Sequence, residues 1–223
     1  MLIFSEQALD DIQVHLGIGA NLANIIYVNN LLYDTRHLIV MYYSIVYYPE
    51  FQDERIAQFR KDYDPYTPLI REHVTVVFPV SAEVGLENIV RHTSTKLEGF
   101  EPFEVCFKGF EKSWDHWLLL SLSTGRDIFV EIHDALYSDL LASYRRKDLQ
   151  YIPHVGLGFF GSDDYDPFNP KPTSLDEEKL DEAMLRVKAM DFISRRIVEQ
   201  LTIVEINSEL SELRNIQECS LSI

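Results

Sequence analysis

Two short runs, HVTVVFPV from His73 and HVGLGFF from His154, each open on a histidine and then alternate in polarity. Strand side chains point to opposite faces in turn, so such runs suit half-buried strands with one face left free for chemistry. By that alternation Val74, Val76 and Phe78 share one face, and His73, Thr75 and Val77 the other. In the second run Val155, Leu157 and Phe159 share the apolar face, with His154, Gly156 and Gly158 opposite. Each strand therefore buries an apolar face and presents a histidine on the other side. Two such strands facing one cleft offer a general base and a general acid to one substrate without a metal, an arrangement suited to phosphate esters.

The flanking segments read as strands and helices. Leu38–Tyr48 is β-branched and aromatic, reads as a strand and ends at Pro49. A helix over 50–63 carries Phe51, Ile56 and Phe59, and a loop with Asp64-Pro65 and Thr67-Pro68 leads into a strand at 72–78. A helix at 83–97 and strands at 103–110 and 116–123 follow. Ile128, Ile132, Leu136, Leu140 and Leu141 have helix spacing across 127–144. The second histidine strand is 152–160, and a loop rich in Asp, Pro and Asn covers 161–174. Ser174 is the expected N-cap of a helix over 175–190, and Leu201–Asn207 is the expected last strand.

This divides the chain into an N-terminal extension at 1–36, a domain at 37–207 and a loose polar C-terminal tail at 208–223. The extension reads as helical, over Ser5–Leu16 and Asn21–Leu32. Within the domain, a pattern of strand, helix, histidine strand, helix recurs roughly, with His73 and His154 81 positions apart. Two similar lobes would meet at the histidine strands about a pseudo-twofold axis.

At 223 residues with 46% hydrophobic and 12% aromatic content, the chain can bury one sizeable core. Its net charge of −16 disfavours a long nucleic acid, whose affinity comes largely from Lys and Arg on phosphates. A local pocket for a small nucleotide is still compatible with that charge. Cys106 and Cys219 are far apart, which suggests neither a disulfide framework nor a cysteine metal site. Leu38–Tyr48, the longest apolar stretch, is short of the roughly 20 residues a membrane helix needs. The start of the chain lacks the basic flank of a secretory signal. A soluble, cytoplasmic monomer without a membrane partner is expected.

These residues resemble the two-histidine (2H) phosphoesterase superfamily, in its 2′,5′-RNA ligase-like and cyclic phosphodiesterase branch. Its signature is a pair of H-x-[T/S]-hydrophobic motifs, one per lobe. REHVTVVFPV matches the first in full, with His73 and Thr75. Pro153, His154, Val155, Leu157 and Gly158 match the second, which departs at Gly156, where the family has a hydroxyl residue. FRKDYDP, WLLLSLSTG followed by EIHDALYSDLL, and LTIVEI are also similar, so the likeness spans roughly 38–207.

The resemblance implies an α+β, two-lobed fold whose antiparallel sheets line a central cleft, with helices outside. It implies His73 and His154 as the catalytic pair, with Thr75 and position 156 as the phosphate-binding positions. It implies no cofactor and no metal, and a small nucleotide or an RNA end as substrate, opened at a 2′,3′-cyclic phosphate or a 2′,5′ linkage. Either histidine can serve as base or acid, because imidazole titrates near 6.5. Losing one hydroxyl donor to a phosphate costs about 1.5–3 kcal/mol, or roughly one to two decades in rate. Gly156 therefore keeps open a second reading, a catalytically weak or inactive protein that binds a nucleotide or an RNA end on the same fold. A third reading is an interaction module that uses residues 1–36.

Other polar residues carry less. His133, beside Asp134, reads as a helix-surface residue, and His116, between Trp114 and Trp117, as a turn or packing feature. His15, His37 and His92 have no evident partners. Arg145, Arg146 and Lys147 read as a solvated helix end, with phosphate contact the alternative. Asp163, Asp164 and Asp166 lack the spacing of a calcium loop. Tyr151 and Phe78 are aromatic candidates for a base contact, neither singled out by the sequence.

Overall fold

A computed structural model describes the backbone of 25–28 and 31–34, together with residues 39–162, 165, 166, 168 and 174–222. The chain forms two compact units, Met1–Ile39 and Val40–Ile223. In the first, β1 (Ile25–Val28) pairs antiparallel with β2 (Leu31–Asp34). This corrects the helix expected over Asn21–Leu32. IIYV is β-branched and aromatic, and only two residues, Asn29 and Asn30, separate the runs, a spacing typical of a hairpin. The Ser5–Leu16 helix lies outside the described residues.

The second unit contains β3 (Met41–Tyr47), α1 (Glu54–Tyr63), β4 (Val74–Ser81), α2 (Leu86–Leu97), β5 (Phe103–Lys112) and β6 (Trp117–Thr124). After these come α3 (Arg126–Leu136), β7 (His154–Phe159), α4 (Glu177–Lys188), β8 (Ile193–Val198), β9 (Gln200–Asn207) and β10 (Leu213–Ser220). Its strands form one curled antiparallel sheet in the order β10-β9-β3-β4-β7-β6-β5-β8. This is the two-lobed α+β architecture expected. β4 and β7 join the lobes through the pair Val74–Val155.

The helices cross over. α1 leads into β4 yet packs on β7, and α3 leads into β7 yet packs on β4. Each histidine strand is thus backed by the helix that precedes the other. Ile56, Phe59, Phe129 and Ile132 on these helices are fully buried, as are Val74, Val76 and Leu157 beneath them. Each such side chain contributes about 1.5–3 kcal/mol of burial, which presses both strands onto one core.

Helix ends and sheet edges differ from the sequence reading. The helix expected over 127–144 ends at Leu136, where Ser138 Oγ donates to the Ala135 carbonyl and Asp139 takes φ +47. Asp139–Tyr144 then forms a 3-10 turn. The N-cap of α4 is Asp176, whose carboxylate accepts the Lys179 N–H at 3.0 Å, and not Ser174. The polar tail expected at 208–223 instead contains β10, paired along β9, with Cys219 and Leu221 buried. β8 is a further strand that the sequence reading lacks. Both are edge strands, where exposed Arg, Glu and Ile dilute the alternation that marks central strands.

Candidate active site

His73 and His154 each stand one residue before the valines that join the lobes, Val74 and Val155. Those valines are 0% and 1% exposed on the core side, so both imidazoles turn to the opposite face. There they line one cavity of about 460 Å³ together with Thr75 and Gly156. The antiparallel register through Val74–Val155 directs His73 toward Gly156 and Thr75 toward His154. All four residues singled out from the sequence therefore meet at the lobe junction.

The imidazoles are anchored alike. His73 Nδ1 lies 2.9 Å from the Arg71 carbonyl, and His154 Nδ1 lies 2.6 Å from the Ile152 carbonyl. A carbonyl only accepts, so Nδ1 carries the proton in each ring and Nε2 of the neutral ring is the basic nitrogen. Burial pushes the His73 pKa down to about 4, with the Arg71 carbonyl opposing the shift and Arg60 and His154 adding to it. Burial also lowers His154, but there Asp115 and Glu111 oppose the shift along with the Ile152 carbonyl. Neighbouring charges thus disfavour a proton on His73 and favour one on His154.

Simple alternation fails beyond the motifs. The β3–β4 register shifts between Ile45–Val77 and Val46–Thr75, and the β6–β7 register shifts between Leu118–Gly158 and Leu119–Gly156. An extra residue in a bulge reverses the faces that follow it. Val77 is consequently buried, while Phe78 is 38% exposed and lines the cavity. In β7, a Cβ on Gly158 would meet Tyr63 of α1, and Phe159 stacks near Trp117 and Tyr165, which line the cavity. Phe78 and Phe159 each stand five residues after a histidine.

α3 satisfies the β4 bulge. His133 Nδ1 donates to the Val76 carbonyl at 2.8 Å, and the Phe78 N–H donates to the Tyr137 hydroxyl at 3.0 Å. His133 also stacks on Tyr151, with ring centroids 3.8 Å apart and planes 3° from parallel. Tyr151 Oη in turn donates to the Thr75 carbonyl at 3.0 Å. His133 is buried, which corrects its surface reading, and it holds the strand that carries His73 and Thr75.

Arg60 and Asp64 are both buried at the cavity and paired, with Arg60 Nε 2.9 Å from Asp64 Oδ2. Arg60 Nη2 also donates to the Ile70 carbonyl at 3.1 Å, fixing the segment that enters His73. Across the cavity, Asp115 accepts from Ser113 Oγ at 2.5 Å and from Tyr165 Oη at 3.1 Å. Arg60, Asp115, Trp117 and Tyr66 line the site without having been singled out from the sequence. Trp117 lies against Gly156, since a Cβ there would sit 3.3 Å from its Cε3.

The remaining candidates have other roles. His92 Nε2 is 2.9 Å from the Leu136 carbonyl, and His116 occupies a turn at φ +69. Arg145 pairs with Asp134, whereas Arg146 pairs with Asp148 and reaches the cavity wall. Asp166 is described and exposed, while Asp163 and Asp164 lie outside the described residues. Among the described residues no group of three or more His, Cys, Asp or Glu could hold a metal ion. Nor is any helix among them long and apolar enough to cross a membrane.

A model of the 2′-5′ RNA ligase superfamily matches residues 48–197. A Geobacillus thermodenitrificans protein provisionally named a phosphoesterase is 25% identical over 121 residues, 53% of this chain and 69% of its own. A Bacillus licheniformis protein with a similar provisional name is 26% identical over 127 residues, 56% of this chain and 74% of its own. The crystal structure of TT0787 from Thermus thermophilus shares the fold, with a TM-score of 0.52 at 14% identity, covering 82% of this chain and 97% of that one.

Proposed function

The chain belongs to the 2′-5′ RNA ligase superfamily of 2H phosphoesterases, and we propose that it is a metal-independent phosphoesterase. Its substrates would be 2′,3′-cyclic phosphates or related 2′,5′ linkages of small nucleotides or RNA ends. One observation carries this reading: two imidazoles with matching Nδ1–carbonyl anchors line one cavity at the lobe junction.

In this mechanism His73 is the base, because burial and Arg60 keep it neutral. Its Nε2 takes a proton from water as the water oxygen bonds to phosphorus. His154 is assigned as the acid, because burial lowers its pKa as well but Asp115 and Glu111 oppose that shift, whereas Arg60 adds to the shift at His73. His154 gives its proton to the ribose oxygen as the P–O bond to that oxygen breaks. The sum is one water added across one P–O bond, with a proton moved from the first histidine to the second through solvent. Thr75 supplies the hydroxyl that holds a phosphate oxygen. The test is hydrolysis of the four nucleoside 2′,3′-cyclic phosphates in EDTA. Turnover supports the reading, and no turnover of these or of a 2′,5′-linked dinucleotide contradicts it.

Gly156 favours a second reading, binding of a nucleotide or an RNA end without turnover. That reading expects thermal stabilisation by the ligand with no product at high protein concentration.

A further inference from the structure

The site is unequal at the two positions where its motifs should match. Thr75 stands on the first lobe, while the second lobe has Gly156 and, against it, the indole of Trp117. A Cβ at 156 would lie 3.3 Å from Cε3 and 3.4 Å from Cζ3 of that indole. Those contacts are already tight, so a threonine, with two further heavy atoms on Cβ, fits only if the ring moves away. Glycine at 156 is therefore what allows the indole to lie there.

Both the backbone and the ring of Trp117 are held. Its backbone N–H donates to Ser113 Oγ at 2.8 Å, and its carbonyl accepts the Ser113 N–H at 2.8 Å. Tyr66 lies nearly parallel to the indole, at 21° with centroids 6.0 Å apart, and Phe159 supports it at 5.4 Å. Trp117 and Tyr66 are both only partly buried, and both line the cavity that contains the histidines. The planar, apolar rings of Trp117 and Tyr66 line the same cavity as the two imidazoles, which suits a ligand with a planar ring attached to a phosphate-bearing part. Aromatic side chains stack on any nucleobase, because every base has a π-face.

We propose that Trp117 and Gly156 form a specificity-determining pair. The first lobe holds the phosphate through Thr75, and the second lobe holds the ligand's nucleobase on the Trp117–Tyr66 wall in place of a second phosphate-binding hydroxyl. This rests on the reading of the cleft as a phosphoester site, and it makes the base, as well as the phosphate, a requirement for binding.

The test compares a nucleoside 3′-monophosphate, ribose 5-phosphate and inorganic phosphate by calorimetry. A Trp114→Phe background leaves Trp117 as the sole indole reporter. The nucleotide is expected to bind about tenfold more tightly than ribose 5-phosphate and to change Trp117 emission, as base–aromatic stacking would give. Trp117→Leu should remove that preference and leave ribose 5-phosphate affinity unchanged, whereas Trp117→Phe, which keeps a ring, should retain most of it. Gly156→Thr should likewise abolish the preference for the nucleotide over ribose 5-phosphate, because it displaces the indole, whatever its hydroxyl adds to the binding of both phosphates. Equal affinities for nucleotide and ribose 5-phosphate would overturn the proposal, as would failure of all three probes to bind. So would a Gly156→Thr protein that binds every phosphate more tightly with Trp117 emission unchanged. Ring-dependent binding without hydrolysis of any cyclic phosphate would keep this inference and remove the enzyme reading alone.

Discussion

Acid should destabilise this protein through His73 in a measurable way. In the folded protein burial and Arg60 hold its pKa near 4, whereas in the unfolded chain it returns to about 6.5. Between those values the unfolded state binds the extra proton, so stability rises with pH. The contribution is fully present above about 6.5 and is lost as the pH falls toward 4. Two and a half pKa units at 1.36 kcal/mol each set its limit, and by pH 4 about 3 kcal/mol of it is gone. His73→Gln removes the titration while keeping a donor for the Arg71 carbonyl. Urea unfolding of both proteins at pH 7, 6, 5 and 4 gives the difference directly, since carboxylates titrate alike in the two. The wild type should lose about 3 kcal/mol more than the variant over that range. Parallel curves, within 1 kcal/mol, would refute the account of a desolvated, neutral His73.

Three further outcomes follow from packing. Arg60→Met strands the buried Asp64 carboxylate and should cost about 3–5 kcal/mol in urea unfolding, whereas Arg60→Met with Asp64→Leu should recover much of that loss. Gly158→Ala places a Cβ 2.6 Å from Tyr63 Cβ and should lower stability by about 1–3 kcal/mol, detected as a lower Tm. Truncation after Ser211 removes β10 with buried Cys219 and Leu221, and should lower Tm by several degrees, where a loose tail would leave it unchanged.

What the sequence disclosed depended on how local the cause was. The faces of His73, Thr75, His154 and Gly156 were legible because alternation over a few residues fixes a face, while their roles and the two-lobed fold came from the resemblance of the paired motifs to the 2H family. Phe78, Phe159 and Gly158 were placed on the wrong faces because a bulge depends on strand partners that local alternation does not record. Arg60 sits at a helix position that reads as solvated, and only the packing of α1 on β7 buries it. Trp117 could not be tied to Gly156 without the β6–β7 register, in which Gly156 pairs with Leu119 and the indole reaches it diagonally. β8 and β10 were missed because edge strands carry charge on their free sides.

The central claim is that His73 and His154 act as one unit on one phosphate. Its most direct test is the kcat/KM for a nucleoside 2′,3′-cyclic phosphate in EDTA, for wild type, His73→Ala, His154→Ala and the double variant. Each single substitution should cost about 10²–10⁴-fold, and the double should fall no further than the worse single, because a broken acid–base pair has little left to lose. Single variants that retain wild-type turnover, or losses that multiply in the double variant, would contradict it.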